Sequence, residues 1–496
     1  MNPDLLPVIV GVGQINDRPE NPLEGRDPVA LMADALRAAE ADAGVPLLAD
    51  ADWLGVVAQI AFPDITDASA PVAAAIGAAK AELTQSKGPN GDSPILLLNE
   101  AANRIGAGEI SIALVTGGEA LRTAGARKAA ASGGQKGDAL RDATHRVRLG
   151  YAQSHGLVVP TDVYPLYENA LRADLGQTLA EGQAESGEIW SRFSEVAAAN
   201  PAAWIRKPVS AAEVVTPSDK NRPIAFPYTK LQVANAAVNQ GAGFIVMSAG
   251  EARRRGIPEA KWIYVGNGAA AHEPGAILAR DGYVHSAGME VSIRKTMELN
   301  QLTTADLGAV ELYSCFPCVP KMARRVLDWP VEKPATVFGG LTFGGGPIGN
   351  YMSHAVASMV LKLREGGGSG LLFANGGYAT HNHTIVVSTA PIPAASFPRP
   401  YDFQAAADAQ RGPVPELDEA YIGPATVESY TVFYDREGQP RSGVVVARTD
   451  AGKRTLAHVP ASDAATIARL QGEGAEPVGA SGTITAGEPL RTWAFA

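Results

Sequence analysis

Residues 91–119 read GDSPILLLNEAANRIGAGEISIALVTGGE, and this stretch carries the pattern that decides the fold. Its opening Gly-Asp-Ser-Pro is typical of a helix start, and apolar residues at helical spacing predict a helix over residues 95–105. A glycine break at Gly108 follows, and the apolar run at 110–115 predicts a buried strand that ends in Gly117-Gly118-Glu119. The stretch therefore predicts a helix and then a strand of an α/β core.

The same order of elements returns about 250 residues later in the chain. Gly345-Gly346-Pro347-Ile348 opens a helix predicted over residues 349–363, and a predicted strand at 370–374 leads to Asn375-Gly376-Gly377. Helices and strands that alternate in this way predict mostly parallel sheets with right-handed crossovers. The repeat predicts a duplicated core, with the chance occurrence of two common β-α-β units as the alternative.

Two further regions interrupt or follow the predicted core. A polar, largely helical stretch at about 121–222 is typical of a long insertion, the kind of segment that often covers a site. Short alternating strands beyond about residue 421 predict a small β-rich domain, either a barrel or a sandwich. We therefore predict an N-terminal half at 1–250, a C-terminal half at 251–395, a proline-stiffened linker at 396–420 and an additional domain at 421–496.

Composition narrows the classes of function. The 496 residues are 46% hydrophobic and 19% charged, which excludes wholesale disorder, and a net charge of −10 disfavours nucleic acid and anionic membranes as partners. Two cysteines, Cys315 and Cys318, are too few for a disulfide framework and fit a reducing cytoplasm. The N-terminus lacks the pattern of a signal peptide, and no apolar run approaches about 18–20 residues. We therefore expect a soluble, cytoplasmic protein.

Several polar residues could carry chemistry, and each has a structural alternative. Ser93 is either a nucleophile or the cap of the predicted helix, and Asn375 with its following glycines either binds an oxyanion or makes a turn. His354 is either a base or a packed helix residue. The pair Cys315 and Cys318 suggests redox chemistry or, with His381 and His383, a metal site, although its strand context and the spacing to the histidines favour neither.

Five ordered stretches resemble the thiolase superfamily. They are 103–108 (NRIGAG) with 117–119 (GGE), 239–246 (NQGAGFIV) with 248–252 (SAGEA), 311–316 (ELYSCF), 339–349 (GGLTFGGGPIG) and 375–377 (NGG). The likeness covers about residues 5–390. It is nearest to the sterol-carrier-protein-thiolase branch and to thiolase-like proteins with an added C-terminal domain.

The resemblance implies a thiolase fold, which is a duplicated five-layer αβαβα core with a helical loop-domain insertion, here followed by a small barrel-like β domain. Thiolases condense or thiolyse acyl-CoA with a nucleophilic cysteine, an activating histidine and a second cysteine that moves a proton. This sequence departs from that set at every position. The nucleophile loop offers Gly91-Asp92-Ser93, while Tyr313 and Gly346 replace two histidines and Asn375 or Ala374 replaces the second cysteine.

The resemblance implies a CoA-binding or acyl-CoA-binding protein of the acyltransferase class, similar to acetyl-CoA acetyltransferase and active in lipid metabolism. No cofactor is expected beyond the CoA thioester as substrate or ligand, and a homo-oligomer is compatible with the resemblance. If the protein is catalytic, the implied residues are Ser93 or Cys315 as acyl acceptor, His354 as base, and Asn375 with the Gly376 and Gly377 amides as oxyanion donors. The implied substrate-binding residues are Tyr313, Gly346, Ser248 and Gly376. The alternative is a non-catalytic acyl-CoA-binding or partner-assembly protein on a degenerate thiolase fold.

Overall fold

The described part of the chain comprises residues 2–132 and 150–496 of a computed structural model. Its strands are β1 (Pro7–Asn16), β2 (Trp53–Val56), β3 (Glu82–Gln85), β4 (Ile112–Ala120), β5 (Pro223–Ala225), β6 (Tyr228–Thr229), β7 (Asn239–Ser248), β8 (Ile263–Val265), β9 (Ala269–His272), β10 (Leu307–Leu312), β11 (Ser369–Gly376), β12 (His381–Ser388), β13 (Gly423–Tyr434), β14 (Pro440–Thr449), β15 (Arg454–Pro460), β16 (Ser481–Thr485) and β17 (Thr492–Phe495). Its helices are α1 (Pro28–Ala43), α2 (Ser69–Ile76), α3 (Ser93–Gly106), α4 (Leu121–Ala131), α5 (Tyr151–Ser154), α6 (Pro160–Asp174), α7 (Leu179–Ala199), α8 (Ala211–Val215), α9 (Ala249–Arg254), α10 (Ala287–Asn300), α11 (Cys318–Leu327), α12 (Tyr351–Gly366), α13 (Gln404–Gln410) and α14 (Ala464–Leu470).

The core contains two copies of one strand arrangement. In the first copy the order is β1-β7-β4-β2-β3, with β4, β2 and β3 parallel and β7 antiparallel to both of its neighbours. In the second copy β8 and β9 pair with β12, β12 pairs antiparallel with β11, and β11 runs parallel to β10. The predicted duplication is therefore confirmed. A short β8–β1 pairing joins the two copies into one ten-stranded sheet, in which nine strands follow one another and β9 pairs with β12 beside that path.

Helices alternate with the two sheet halves in five layers. Helix α1 covers β1, β4 and β7, and α10 covers β9 and β12, while α3 and α12 contact each other between the two halves. Adjacent residues of β4 show the two faces, because a Cβ atom on Gly117 would meet Asn350 before α12, whereas one on Gly118 would meet Leu31 of α1. The α3–α12 layer therefore brings the starts of both central helices to the middle of the molecule.

Local sequence explains the start and the end of helix α1. The Asp27 side chain accepts a hydrogen bond from the Ala30 backbone N–H, Pro28 occupies the first helical position, and Gly44 ends α1 in the left-handed conformation. A Cβ atom on Gly13 would lie 2.0 Å from the Ala35 carbonyl oxygen, so the glycine lets α1 approach β1 closely. This approach buries Leu31 and Leu36 completely.

The central helix α3 begins at Ser93, two residues before the predicted start at residue 95. Asp92 holds the N-cap position, Ser93 is the first helical residue and Pro94 the second. The Ser93 hydroxyl donates to the Gly88 carbonyl oxygen at 3.2 Å and caps no helix N–H, so the cap interpretation of Ser93 is wrong. Proline is tolerated at any position of a first turn, which is why Pro94 did not fix the boundary.

The C-terminal strands form a closed five-stranded barrel, which confirms the predicted β-rich domain and selects the barrel from its two predicted forms. Strands β14, β15, β17, β16 and β13 follow one another around it, and β13 pairs with β14 to close the ring. The third and fifth strands, β15 and β17, are parallel, and α14 lies between β15 and β16 in the chain, which is the topology of an OB-fold. The outer face of β13, β14 and β15 packs on the core through Phe433, Val444, Val446 and Leu456.

The predicted insertion contributes helices α4 to α8 between β4 and β7, and its residues 133–149 lie outside the described residues. Its short strand β5 pairs with β13, which ties the insertion to the barrel. The residue boundaries predicted for the domains stay a prediction. No helix of the described residues has the length and apolar character needed to cross a membrane.

Candidate functional site

The candidate site lies where the loop before α3 meets the ends of β10 and β11. A Cβ atom on Gly91 would lie 2.1 Å from the Asn375 carbonyl oxygen and 2.4 Å from the Tyr313 hydroxyl oxygen. Both distances are far below van der Waals contact, so Tyr313 and Asn375 occupy the space that a side chain at residue 91 needs. Gly91, the first of the three residues that the thiolase resemblance gives to the nucleophile loop, therefore has no space for a side chain.

A tyrosine holds Asn375 from the insertion side. The Tyr164 hydroxyl donates to Asn375 Oδ1 at 2.8 Å and accepts from the Ala379 backbone N–H at 2.9 Å. Asn375 Nδ2 donates to Asn382 Oδ1 at 3.0 Å, so both ends of the amide are engaged in the protein's own network. The side chain of Asn375 therefore fixes this loop, and an oxyanion role for it stays a prediction that needs one of these bonds to break.

Neither sulfur of the Cys315–Cys318 pair is present as a thiolate at neutral pH. Burial raises the pKa of Cys315 to about 12, although a hydrogen bond with Tyr164 opposes the rise. Burial raises the pKa of Cys318 well above its ordinary value, and the charge of Glu168 adds to the effect. Both thiols are free and buried, and no group of three or more His, Cys, Asp or Glu side chains in the described residues has the geometry of a metal site.

His354 is fully buried on the central helix α12. Its Nδ1 lies 2.8 Å from Gln14 Oε1, and its ring stacks on Phe338 with a centroid distance of 4.9 Å. Burial lowers the pKa of His354 to about 3, so the imidazole is neutral at physiological pH. The packed-residue interpretation therefore describes its surroundings, and its role as a base stays a prediction.

The implied substrate-binding residues fall in different places. Tyr313 and Gly376 contact the Gly91 loop, and the buried Gly346 donates its N–H to the Asn235 carbonyl oxygen at 2.9 Å. Ser248 caps α9, where its hydroxyl accepts from the Glu251 N–H at 3.3 Å. Because β7 runs antiparallel to β4, Ser248 lies beside the first residues of β4, at the opposite end of the sheet from the Gly91 loop. Ser248 therefore lies apart from the Gly91 loop, and its substrate-binding role stays a prediction.

Sequence reasoning assigned no role to Asp92 and no contact between His272 and His381, and the structure brings all three to the same loop. The rings of His272 and His381 meet edge to face with centroids 5.0 Å apart. Asp92 is 4% exposed, and burial raises the pKa of its carboxyl group to about 6, while the charge of His272 opposes the rise. The available signal was the acidic residue inside the quoted helix start, but His272 and His381 are separated by more than a hundred residues.

The shifted carboxyl group gives a pH-dependent stability. A folded-state pKa of about 6 lies above the unfolded value of about 3.9, so stability is fully present below pH 4 and is lost as the pH rises through 6. We expect Asp92→Asn to raise the free energy of unfolding at pH 7 by about 3 kcal/mol over wild type. Denaturant titrations of both proteins from pH 4 to pH 8 measure this. A difference that stays constant down to pH 4 would contradict the buried-carboxyl explanation.

The five layers, the filled space at Gly91 and the added barrel define a thiolase-like protein with an additional C-terminal domain. The model for the additional C-terminal domain of thiolase-like protein type 1 matches residues 402–488. The crystal structure of a monomeric SCP2-thiolase-like protein type 1 from Mycobacterium smegmatis is 31% identical, with a TM-score of 0.83 and 100% of each chain covered. The chain belongs to the SCP2-thiolase-like protein type 1 family.

More distant structures share the fold alone. Human mitochondrial 3-ketoacyl-CoA thiolase in complex with CoA is 16% identical with a TM-score of 0.57, over 78% of this chain and 98% of that one. Acetyl-CoA acetyltransferase from Syntrophomonas wolfei is 16% identical with a TM-score of 0.56, over 78% of this chain and 99% of that one. A sequence comparison with curated proteins finds no match.

Proposed function

We propose that this protein binds CoA or acyl-CoA on its thiolase-like core and does not perform cysteine-dependent thiolase turnover. The observation that supports the absence of cysteine-dependent turnover is the filled space at Gly91, where Tyr313 and the Asn375 carbonyl oxygen lie within 2.4 Å of a Cβ position. A nucleophile must approach the thioester carbon to about 3–3.5 Å, and residue 91 has neither the side chain nor the space to do so.

The remaining candidate acyl acceptors have no activated form in this arrangement. The Ser93 hydroxyl donates to the Gly88 carbonyl oxygen, and a serine needs an adjacent base to become a nucleophile. The Cys315 thiol stays protonated because burial raises its pKa to about 12. His354 directs its Nδ1 at Gln14 Oε1 instead of at a candidate acyl acceptor. An acyltransferase mechanism through these residues therefore lacks its first step.

The binding half of the proposal is supported by the shared fold. A human thiolase with the same fold has been crystallised with CoA, and this chain keeps the five-layer core that matches it. The free Gly91 amide supports the same idea, because no carbonyl or side chain of the described residues accepts from its N–H. An unpartnered N–H beside the start of a 14-residue helix favours a ligand oxygen at this position.

Calorimetry and a turnover assay test the two halves separately. We expect a saturable heat of binding with CoA and acetyl-CoA, and no thiolysis of acetoacetyl-CoA above the rate in buffer. The variants Ser93→Ala, Cys315→Ala and His354→Gln are expected to leave that result unchanged. Robust thiolysis that disappears in any one of these variants would contradict the proposed absence of thiolase turnover. A titration without heat of binding for either ligand would contradict the proposed binding of CoA or acyl-CoA.

A further inference from the structure

Gly376, His381 and His272 lie directly opposite one another on neighbouring strands and form a row that starts at the candidate site. Gly376 of β11 lies directly opposite His381 of β12, and His381 lies directly opposite His272 of β9. Directly opposite residues point to the same face of a sheet. A Cβ atom on Gly376 would lie 2.9 Å from the Gly91 amide nitrogen and 3.5 Å from His381 Cβ. Both imidazoles therefore lie on the face that meets the start of α3.

Asp92 completes the row from the helix side. Its carboxylate is 4% exposed, and within the described chain it receives no hydrogen bond except from its own backbone N–H. A buried carboxylate without donors is unfavourable unless a cation or a proton compensates it. The titratable group that acts on it is His272, whose ring in turn touches the ring of His381. Within the described residues, the buried Nδ1 atom of His272 has no hydrogen-bond partner, so it has no competing contact that would hold the ring away from Asp92 and His381.

We propose that Asp92, His272 and His381 form an acid–base site that hydrolyses an acyl thioester. The proposal rests on the proposed binding of acyl-CoA. It places the reacting side chains beside Gly91 and not at residue 91 itself. His381 is the catalytic residue, because it lies directly opposite Gly376, whose Cβ position would be 2.9 Å from the Gly91 amide nitrogen. His272 and Asp92 are positioning residues that act through it.

The step balances with water as the only co-reactant. His381 takes a proton from a water molecule as the water oxygen forms its bond to the thioester carbonyl carbon. The carbonyl re-forms as the carbon–sulfur bond breaks, and the leaving thiolate of CoA takes the proton back from the imidazolium. The products are a carboxylic acid and CoA. Asp92 stabilises the positive charge that His381 carries while it holds this proton.

The surrounding charges keep the base neutral. Burial lowers the pKa of His381, and the charge of Arg280 lowers it further. Burial and the neighbouring His381 lower the pKa of His272, against the opposing charges of Asp92 and Asp402. The other titratable neighbours are His383, which His272 affects, and Tyr313, which Asp92 affects. The imidazoles are therefore ready to accept protons at pH 7, and the rate is expected to rise with pH through about 6 as Asp92 ionises.

The full-length protein is tested with acetyl-CoA and octanoyl-CoA, and the release of CoA thiol is followed from pH 5 to pH 9. We expect wild type to release thiol faster than buffer does, with a rising limb near pH 6. His381→Gln is expected to lose about 100-fold or more of this rate. Asp92→Asn is expected to lose the rising limb while it gains thermal stability at pH 7, a combination that a merely structural role would not produce. The matched control is His458→Gln, a half-buried histidine in the barrel, which is expected to keep the wild-type rate.

The outcomes separate this proposal from the proposed function. Calorimetric binding of CoA without thiol release from either probe at any pH overturns the acid–base site and leaves the binding proposal standing. Absence of CoA binding overturns the proposed function. If His381→Gln releases thiol at the wild-type rate, the assignment of His381 as the base is overturned. If His381→Gln loses thiol release and keeps the wild-type melting temperature, the assignment of His381 as the base is supported.

Discussion

Gly91→Ala is expected to lower the free energy of unfolding by about 3 kcal/mol, because the added methyl group has no space. The Cβ atom would lie 2.1 Å from the Asn375 carbonyl oxygen and 2.4 Å from the Tyr313 hydroxyl oxygen. The first of these atoms belongs to the backbone of β11, so a rotamer change cannot remove the clash. Denaturant unfolding of wild type and variant at pH 7 measures the difference.

Gly125→Ala is the matched control for this substitution. Gly125 lies in α4, and a Cβ atom there would meet no heavy atom within 4 Å. Alanine is favoured over glycine in a helix by about 1 kcal/mol, so this variant is expected to be at least as stable as wild type. If both variants unfold at the wild-type denaturant concentration, the close packing around Gly91 is not present in solution.

The packing at Gly91 also limits which substitutions could introduce a nucleophile at this residue. A single change from glycine to cysteine would not recreate a thiolase nucleophile, because its Cβ atom meets both Tyr313 and Asn375. Replacing Tyr313 with a smaller residue would relieve only the side-chain contact. The backbone contact would remain, so the closed position depends on the path of β11 as well as on residue types. This dependence supports a function that does not use a nucleophile at residue 91.

The sequence was informative where one segment contains its own signal. The quoted stretch 91–119 predicts helix α3 and strand β4 because helical periodicity, a glycine stop and an apolar run follow one another. The second copy, α12 and β11, is predicted for the same reason. The barrel was predictable as a β-rich domain because alternating strands and tight turns are local features.

The site was less predictable because it depends on register and strand direction. The row of Gly376, His381 and His272 exists only after β11, β12 and β9 have paired, and no local pattern specifies that pairing. Ser248 was placed in the site by a motif, but the antiparallel direction of β7 moves it to the other end of the sheet. Asp92 lay in the quoted stretch, and its function depends on burial that the sequence does not show.

The barrel is connected to the candidate site through one buried segment of the core, residues 278–281. Arg454 of β15 is fully buried and donates to the carbonyl oxygens of Leu278 at 2.7 Å and Arg280 at 2.5 Å. Arg280 in turn donates to the Tyr378 carbonyl oxygen at 2.9 Å and to the Thr380 hydroxyl oxygen at 3.1 Å. Thr380 precedes His381, so the barrel helps to fix the loop that carries the proposed base.

Arg454→Met is therefore expected to destabilise the protein by about 3–5 kcal/mol, because removing one partner leaves buried polar groups without compensation. The Leu278 and Arg280 carbonyl oxygens lose their donor, and Glu428 loses the nearer of two guanidinium groups, whose Nη2 lies 2.6 Å from its Oε1. The melting temperature measured by calorimetry is expected to fall by several degrees. Limited proteolysis at a fixed temperature is expected to release the barrel faster than in wild type.

Arg448→Met provides the comparison that isolates burial. Arg448 binds the same Glu428 carboxylate at 2.8 Å and donates to the Asp281 carbonyl oxygen at 3.1 Å, but its side chain is 31% exposed and water can replace it. A partly exposed ion pair contributes about 1 kcal/mol or less, so this variant is expected to melt close to wild type. Equal losses in the two variants would mean that the contacts shared by both arginines, with Glu428 and the Asp281 carbonyl oxygen, hold the barrel. A loss confined to Arg454→Met would mean that the Leu278 and Arg280 carbonyl oxygens hold it, which is the arrangement through which the barrel reaches His381.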